Sequence, residues 1–155
     1  MRRHLFILLA AMLLPATAHA WSVAVGRSVR PHDIDLALQL GPVQIEYIDE
    51  GAQPYGIPNR NRPVNLDYVL EHAWGRFDVF AKAGVTSSWL SYNGSGNGYR
   101  NRTGFTGQNV GVGLKVRVLP RVWLVGQTVW MRYQQSDVPA YEPFTYSSLL
   151  LQLDF

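Results

Sequence analysis

Apolar and polar side chains alternate with a period of two along most of the sequence from residue 21 onward. The last eleven residues show it most plainly. Phe155, Leu153, Leu151, Leu149, Ser147 and Thr145 form one series, and Asp154, Gln152, Leu150, Ser148 and Tyr146 the other. Successive side chains of a strand point to opposite faces, so this segment predicts a strand with one greasy face and one mostly polar face. A greasy outer stripe suits a barrel whose outer solvent is lipid. The competing expectation is the core strand of a soluble sandwich.

The same alternation recurs upstream. In residues 21–29, Val23 and Val25 oppose Ser22, Ala24, Gly26 and Ser28. In 33–40, Ile34, Leu36, Leu38 and Leu40 oppose Asp33, Asp35, Ala37 and Gln39. After Gly41-Pro42, Val43, Ile45 and Tyr47 oppose Gln44, Glu46 and Ile48. Val64, Leu66, Tyr68 and Leu70 oppose Asn65, Asp67, Val69 and Glu71. Phe77, Val79, Ala81, Ala83 and Val85 oppose Asp78, Phe80, Lys82, Gly84 and Thr86, with room to run on to Trp89 or Tyr92. Val110, Val112, Leu114, Val116 and Val118 oppose Gly111, Gly113, Lys115 and Arg117. Residues 122–135 are also strand-forming, but Gln127 spoils one facing and Arg132 the other. No helix is predicted.

These segments make eight strands. Tight turns at Gly41-Pro42, Trp74-Gly75 and Pro120-Arg121 alternate with longer polar loops at 51–63, 93–107 and 136–144; the first connection, Arg30-Pro31-His32, is short and breaks the contrast. Short turns on one rim and longer loops on the other are the anatomy of an outer-membrane barrel with both termini periplasmic. We therefore expect an all-β fold, an eight-stranded antiparallel up-and-down transmembrane β-barrel. The charges Asp35, Glu46, Asp67, Glu71, Asp78, Lys82, Lys115, Arg117 and Asp154 fall in the polar phase of their strands, beside small residues such as Gly26, Gly84, Gly111 and Gly113. A crowded polar lumen accounts for both. Packing alone leaves a soluble, lipocalin-like barrel with the apolar phase inside as an alternative. Aromatics gather toward both ends, with Trp21, Trp74, Phe77, Trp123 and Phe155 near the turns and Tyr47, Tyr68, Trp89, Tyr92 and Tyr133 nearer the loops, as interfacial girdles do.

The N-terminus adds a compartment. Met1-Arg-Arg-His4 is basic, residues 5–14 are apolar but too short to span a bilayer, and Ala18-His19-Ala20 is a small-x-small cleavage site. Residues 1–20 are expected to be a secretory signal peptide and 21–155 a single domain, placed in a bacterial outer membrane. The 14 basic and 11 acidic side chains give +3, and losing Arg2 and Arg3 brings the mature charge to about +1, which gives no support to nucleic-acid binding. The sequence has no cysteine, hence no disulfide and no lipidated cysteine.

Three stretches, with the terminal Phe155, carry a family resemblance: Pro42-Val-Gln-Ile-Glu-Tyr-Ile-Asp-Glu-Gly51, Phe77-Asp-Val-Phe-Ala-Lys-Ala-Gly-Val85, and Val110-Gly-Val-Gly-Leu-Lys-Val116 through Arg132-Tyr133. The chain resembles the small outer-membrane β-barrel proteins similar to the membrane domain of outer-membrane protein A. The resemblance spans the mature chain, without the peptidoglycan-binding domain of that protein. It implies an integral outer-membrane protein, with Glu46, Glu71, Lys82, Lys115 and Arg117 as the candidate lumen ion-pair network. Expected partners are outer-membrane lipid and lipopolysaccharide, the barrel-assembly machinery through the strand ending in Phe155, and a host or surface ligand. A monomer is expected.

Chemistry is sparse. Once the signal is cleaved, His32 and His72 are the imidazoles left, and a Ser28/His32/Asp35 group is the one conceivable triad; a polar turn residue is the plainer reading of His32. No catalytic residue, metal ligand or cofactor is assigned. Asn59-Arg60-Asn61-Arg62 and Tyr99-Arg100-Asn101-Arg102 place Arg60, Arg62, Arg100 and Arg102 in the two longest predicted loops as candidate anion-binding residues, against the plainer reading of solvated loop charge. The expected function is a structural or surface-interaction role, with a narrow channel or a lipid A-modifying enzyme as alternatives.

Overall fold

The computed structural model describes residues 21–28, 34–49, 59–93, 100–134 and 144–155. The expected signal peptide, His32 and much of each long loop lie outside them. The eight strands are β1 (Trp21–Ser28), β2 (Ile34–Leu40), β3 (Val43–Asp49), β4 (Asn59–Trp74), β5 (Phe77–Asn93), β6 (Arg100–Leu119), β7 (Val122–Gln134) and β8 (Phe144–Asp154). Each pairs antiparallel with its sequence neighbours, and β8 pairs back to β1, closing the barrel in the order β1 to β8. Closure leaves no edge strand, which a sheet surrounded by lipid requires.

The turns follow from local chemistry. Gly41 (φ 56°) and Gly75 (φ 69°) supply the left-handed residues of two of them, and Arg121 (φ 67°) does so in the third. All three turns lie on the rim that carries the β1 start and the β8 end. There Trp21 and Phe155 stack with ring centroids 4.0 Å apart.

Two predicted loops are shorter than the composition suggested. β4 begins at Asn59 and β6 at Arg100, so Asn59–Pro63 and Arg100–Gly107 are strand rather than loop. The reason is β5, which runs to Asn93 and offers its backbone to a partner on both edges. Asn59 pairs with Tyr92, and Arg100 with Asn93. β3 follows β4 only as far as Tyr47↔Val64, and β7 joins β6 only from Thr106↔Gln134. A three-stranded lip therefore rises above the barrel rim. Pro63, which lacks a backbone N–H, sits just past the end of the β3 ladder, where no donor is called for.

The alternation becomes geometry. Leu36, Leu38, Ile45, Leu66, Leu70, Val79, Val112, Leu124, Leu151 and Leu153 face outward, each 38–49% exposed. Asp35, Glu46, Asn65, Asp67, Lys82, Thr86, Asn109 and Gln127 face inward and are buried. The ambiguous facing of β7 is resolved: Gln127 points into the interior and Arg132 outward. Trp123, expected in a rim girdle, points inward instead, buried and donating from Nε1 to Asp154 Oδ2 at 2.6 Å.

Candidate lumen network

The inward positions of successive strands form layers along the barrel. Reading from the turn end, β7 shows Val125, Gln127, Val129 and β8 shows Leu150, Ser148, Tyr146. On β4 and β5, Val69 and Phe80 precede Asp67 and Lys82, and on β2 and β3, Ala37 precedes Asp35 while Glu46 precedes Ile48. A first apolar layer, Ala24, Ala37, Val69, Phe80, Val125 and Leu150, thus lies toward the turns. A second, Ile48, Val129, Met131 and Tyr146, lies toward the loops. The polar network is held between them.

Glu46 is its hub. Lys82 Nζ lies 2.8 Å from Glu46 Oε2, with both side chains wholly buried. Asn65 Nδ2 donates to the same oxygen at 3.0 Å, as does Tyr146 OH, while Gln127 Nε2 donates to Oε1. Lys82 also donates to Gln44 Oε1 at 3.0 Å and sits 3.5 Å from Asp67 Oδ2. Gln127 reaches Asp35 Oδ2 at 3.1 Å and Ser148 Oγ at 3.0 Å. A relay of Asn109 Nδ2 to Thr86 Oγ1 (3.0 Å) and Thr86 Oγ1 to Asn65 Oδ1 (2.7 Å) carries the network toward the loops. A buried carboxylate is costly unless paired and hydrogen-bonded, and Glu46 is both.

A second pair sits nearer the turn mouth. Lys115 Nζ lies 2.6 Å from Glu71 Oε1 and 5.5 Å from the Phe80 ring centroid, and Gln39 Nε2 donates to the same Glu71 oxygen at 2.8 Å. Of the candidate network residues, then, Glu46 meets Lys82 and Glu71 meets Lys115. Arg117 joins neither pair: it is exposed at the mouth, its guanidinium 4.5 Å over the Trp123 ring, one step from the bulge that shifts the β6–β7 register between Arg117 and Leu119.

Sequence reasoning missed the clamps. Gln127, Asn65 and Tyr146 hold Glu46 in place, and Asp35 shares the Gln127 donor with it. The alternation puts Asn65, Asp35 and Tyr146 in the polar phase of their strands, but nothing in the pattern says that they meet, and it leaves the facing of Gln127 open. Gln127 was the available signal, since it broke the outward pattern of its strand. Space inside is small. A cavity of ≈ 90 Å³ at the turn mouth is lined by Trp21, Glu71, Asp78, Lys115, Trp123 and Asp154 among others. The next void inward, among Ala37, Val69, Phe80, Val125 and Gln127, is ≈ 10 Å³. That is room for about one water.

The candidate anion-binding arginines are strand residues rather than loop residues, Arg60 and Arg62 on β4 and Arg100 and Arg102 on β6. Ser28 and Asp35 of the conceivable triad are both buried and inward, while His32 lies outside the described residues; His72 is exposed on the outer face of β4 near the turns.

A closed eight-stranded barrel with an apolar outside and a polar, ion-paired inside is the architecture of the small outer-membrane barrels, and comparison with solved structures gives the same fold. The N-terminal β-barrel domain of Pseudomonas aeruginosa OprF matches with a TM-score of 0.62 at 11% identity, over 87% of this chain and 95% of that one. Neisserial surface protein A matches with a TM-score of 0.62 at 11% identity, over 87% and 94%. A major outer membrane protein of Thermus thermophilus matches with a TM-score of 0.56 at 14% identity, over 90% and 100%. No protein-family profile matches the chain, and no curated protein sequence does.

Proposed function

We propose that the protein is an integral β-barrel of a bacterial outer membrane whose interior is plugged, and that it serves as a structural element presenting its loop rim to the cell exterior. The observation that carries the reading is the combination of exposed Val and Leu rows outside with a buried Glu46–Lys82 pair inside. In water those outward rows would be a very large apolar patch, whereas in lipid they are solvated. The start of β1 and the end of β8 lie on the turn rim; with the chain entering from the periplasm, the turns are periplasmic and the β4–β6 lip is extracellular.

The plug favours a structural role over conduction. Eight strands leave a lumen about wide enough for side chains. Here that lumen is filled by two apolar layers with an ion-paired layer between them. The test is planar-bilayer recording on the folded protein. Silence is expected at neutral pH; regular single-channel steps would replace this reading with that of a narrow channel.

A further inference from the structure

The two Asn/Arg runs are about forty positions apart in sequence, yet the strand register brings them to one place. On the β4–β6 lip, Arg60 pairs with Ser91, and Ser91 with Arg102. One row nearer the barrel, Arg62 pairs with Trp89 and Trp89 with Gly104; one row farther out, Asn93 pairs with Arg100. Directly paired residues share a face. These register positions belong to the outer face, because Val64, Leu66, Tyr68 and Leu70 of β4 and Val110, Val112 and Leu114 of β6 occupy the same alternation downstream. Arg132 of β7, paired with Gln108, is exposed on it as well. The Arg62 side chain is 44% exposed, its Nε 3.6 Å from Asp49 Oδ1. Among the described residues of the outer face above Val64, Asp49 is the one carboxylate, so the face carries net positive charge.

Its height is informative. The outward residues of β4 from Trp74 to Val64 are mostly apolar and end abruptly at Arg62. Ten steps of about 3.3 Å each, tilted by about 40°, give a band about 25 Å tall, the thickness expected of an outer-membrane hydrocarbon zone. Arg62 and Arg60 then lie about 5 and 10 Å beyond its edge, at headgroup level. Adjacent strands are about 4.8 Å apart, so Arg60 and Arg102 flank Ser91 across about 10 Å, a span suited to phosphate groups on a glycolipid headgroup. Arginine takes phosphate through two parallel N–H bonds, and tryptophan favours the interfacial level, which is the level of position 89.

We propose that this outer face of the β4–β6 lip is a docking surface for the phosphorylated glycolipid of the outer leaflet, with Arg60, Arg62, Arg100 and Arg102 as its phosphate-binding residues. The proposal rests on the outer-membrane reading above. It makes the two arginine runs one site and sets the depth and orientation of the barrel in the leaflet.

The test is retention of lipid A by the full-length protein, expressed in a Gram-negative host and extracted from its outer membrane in mild detergent. Bound glycolipid is counted by native mass spectrometry, and a cold gel with and without boiling reports the folded barrel. The wild type and Arg76→Gln, a change on the opposite rim, should retain lipid A. The combined Arg60→Gln, Arg62→Gln, Arg100→Gln and Arg102→Gln variant should retain at least roughly tenfold less. Should that variant fail to fold, the pairs Arg60→Gln/Arg62→Gln and Arg100→Gln/Arg102→Gln are read separately, each with several-fold loss expected. Added lipid A should rebind the delipidated wild type, more weakly in high salt, and its dephosphorylated form should not. Equal retention by heat-shifting wild type and variants, or equal binding of the dephosphorylated lipid, overturns the proposal. A wild type that shows no shift and stays soluble overturns the membrane reading itself.

Discussion

Lys82 Nζ meets Glu46 Oε2 at 2.8 Å with neither side chain open to solvent. Lys82 is also within 3.5 Å of Asp67, and Asp35 shares Gln127 with Glu46. One ammonium therefore serves a cluster of three inward carboxylates. Removing it should be far more damaging than its single ion pair suggests. Lys82→Met is expected to lose about 3–5 kcal/mol of stability, the cost of leaving a buried charge uncompensated. Urea unfolding of the barrel in lipid vesicles measures it. The Lys82→Met/Glu46→Gln double variant should lose less than the two single changes added together.

Gln127 is the second clamp. Its Nε2 faces Asp35, Glu46 and Ser148 at once. Gln127→Leu roughly keeps the volume but removes the donor to Glu46 Oε1 and one donor to Asp35, and should cost about 1–3 kcal/mol. The same unfolding assay checks it, and an unchanged midpoint would show that another donor takes over.

Two glycines on facing strands should behave oppositely. A Cβ on Gly113 would overlap the inward Phe80 ring and come within 2.7 Å of the Gly126 carbonyl oxygen, so Gly113→Ala should destabilise by about 1–3 kcal/mol as overpacking does. A Cβ on outward Gly126 meets nothing within 4 Å. Gly126→Ala should be neutral or stabilise by about 0.5 kcal/mol, through the less flexible unfolded chain. The pair of midpoints measures both.

The strands, their order and most of their facing were legible because one physical demand, apolar outside and polar inside, is written at every second residue. Where the demand relaxes, legibility fails. On β7, Thr128 faces outward and shares a 2.8 Å hydrogen bond with Ser147, so two hydroxyls satisfy each other on the apolar face and blur the period. Arg132 follows Trp130, the last apolar outward residue of β7, so it closes the apolar run of that strand rather than interrupting it. The apolar layers are hidden for the reverse reason: Val69, Phe80, Val125 and Leu150 stand in the inward phase, where the pattern predicts polar residues. The lip is not legible because Asn, Arg and Gly read as loop, while the length of β4 and β6 is dictated by the backbone of β5. The network itself was half legible. The pairs Glu46–Lys82 and Glu71–Lys115 join strands far apart in sequence, and Arg117 has the right phase but stands too near the mouth.

The seam offers a further check. The Trp21 and Phe155 rings stack at an interplanar angle of 8° where β1 meets β8, and the Phe155 N–H donates to the Trp21 carbonyl at 3.0 Å. Phe155→Ala keeps the backbone bond and loses the stack. It should lower stability by about 0.5–1.5 kcal/mol beyond the area lost, and Trp21→Ala added to it should cost little more through that contact. A double-mutant cycle on the unfolding midpoints separates the coupling.

The central claim is that the Val and Leu rows face lipid and the charged rows face a sealed interior. Methyl NMR of the folded protein in lipid nanodiscs tests it most directly. Cross-peaks from lipid acyl chains should appear at the methyls of Leu36, Leu38, Val112 and Leu151, and be absent at Val69, Val125, Val129 and Ile48. Acyl-chain contacts at the second set, or none at the first, would mean that the barrel is turned the other way and that the account is wrong.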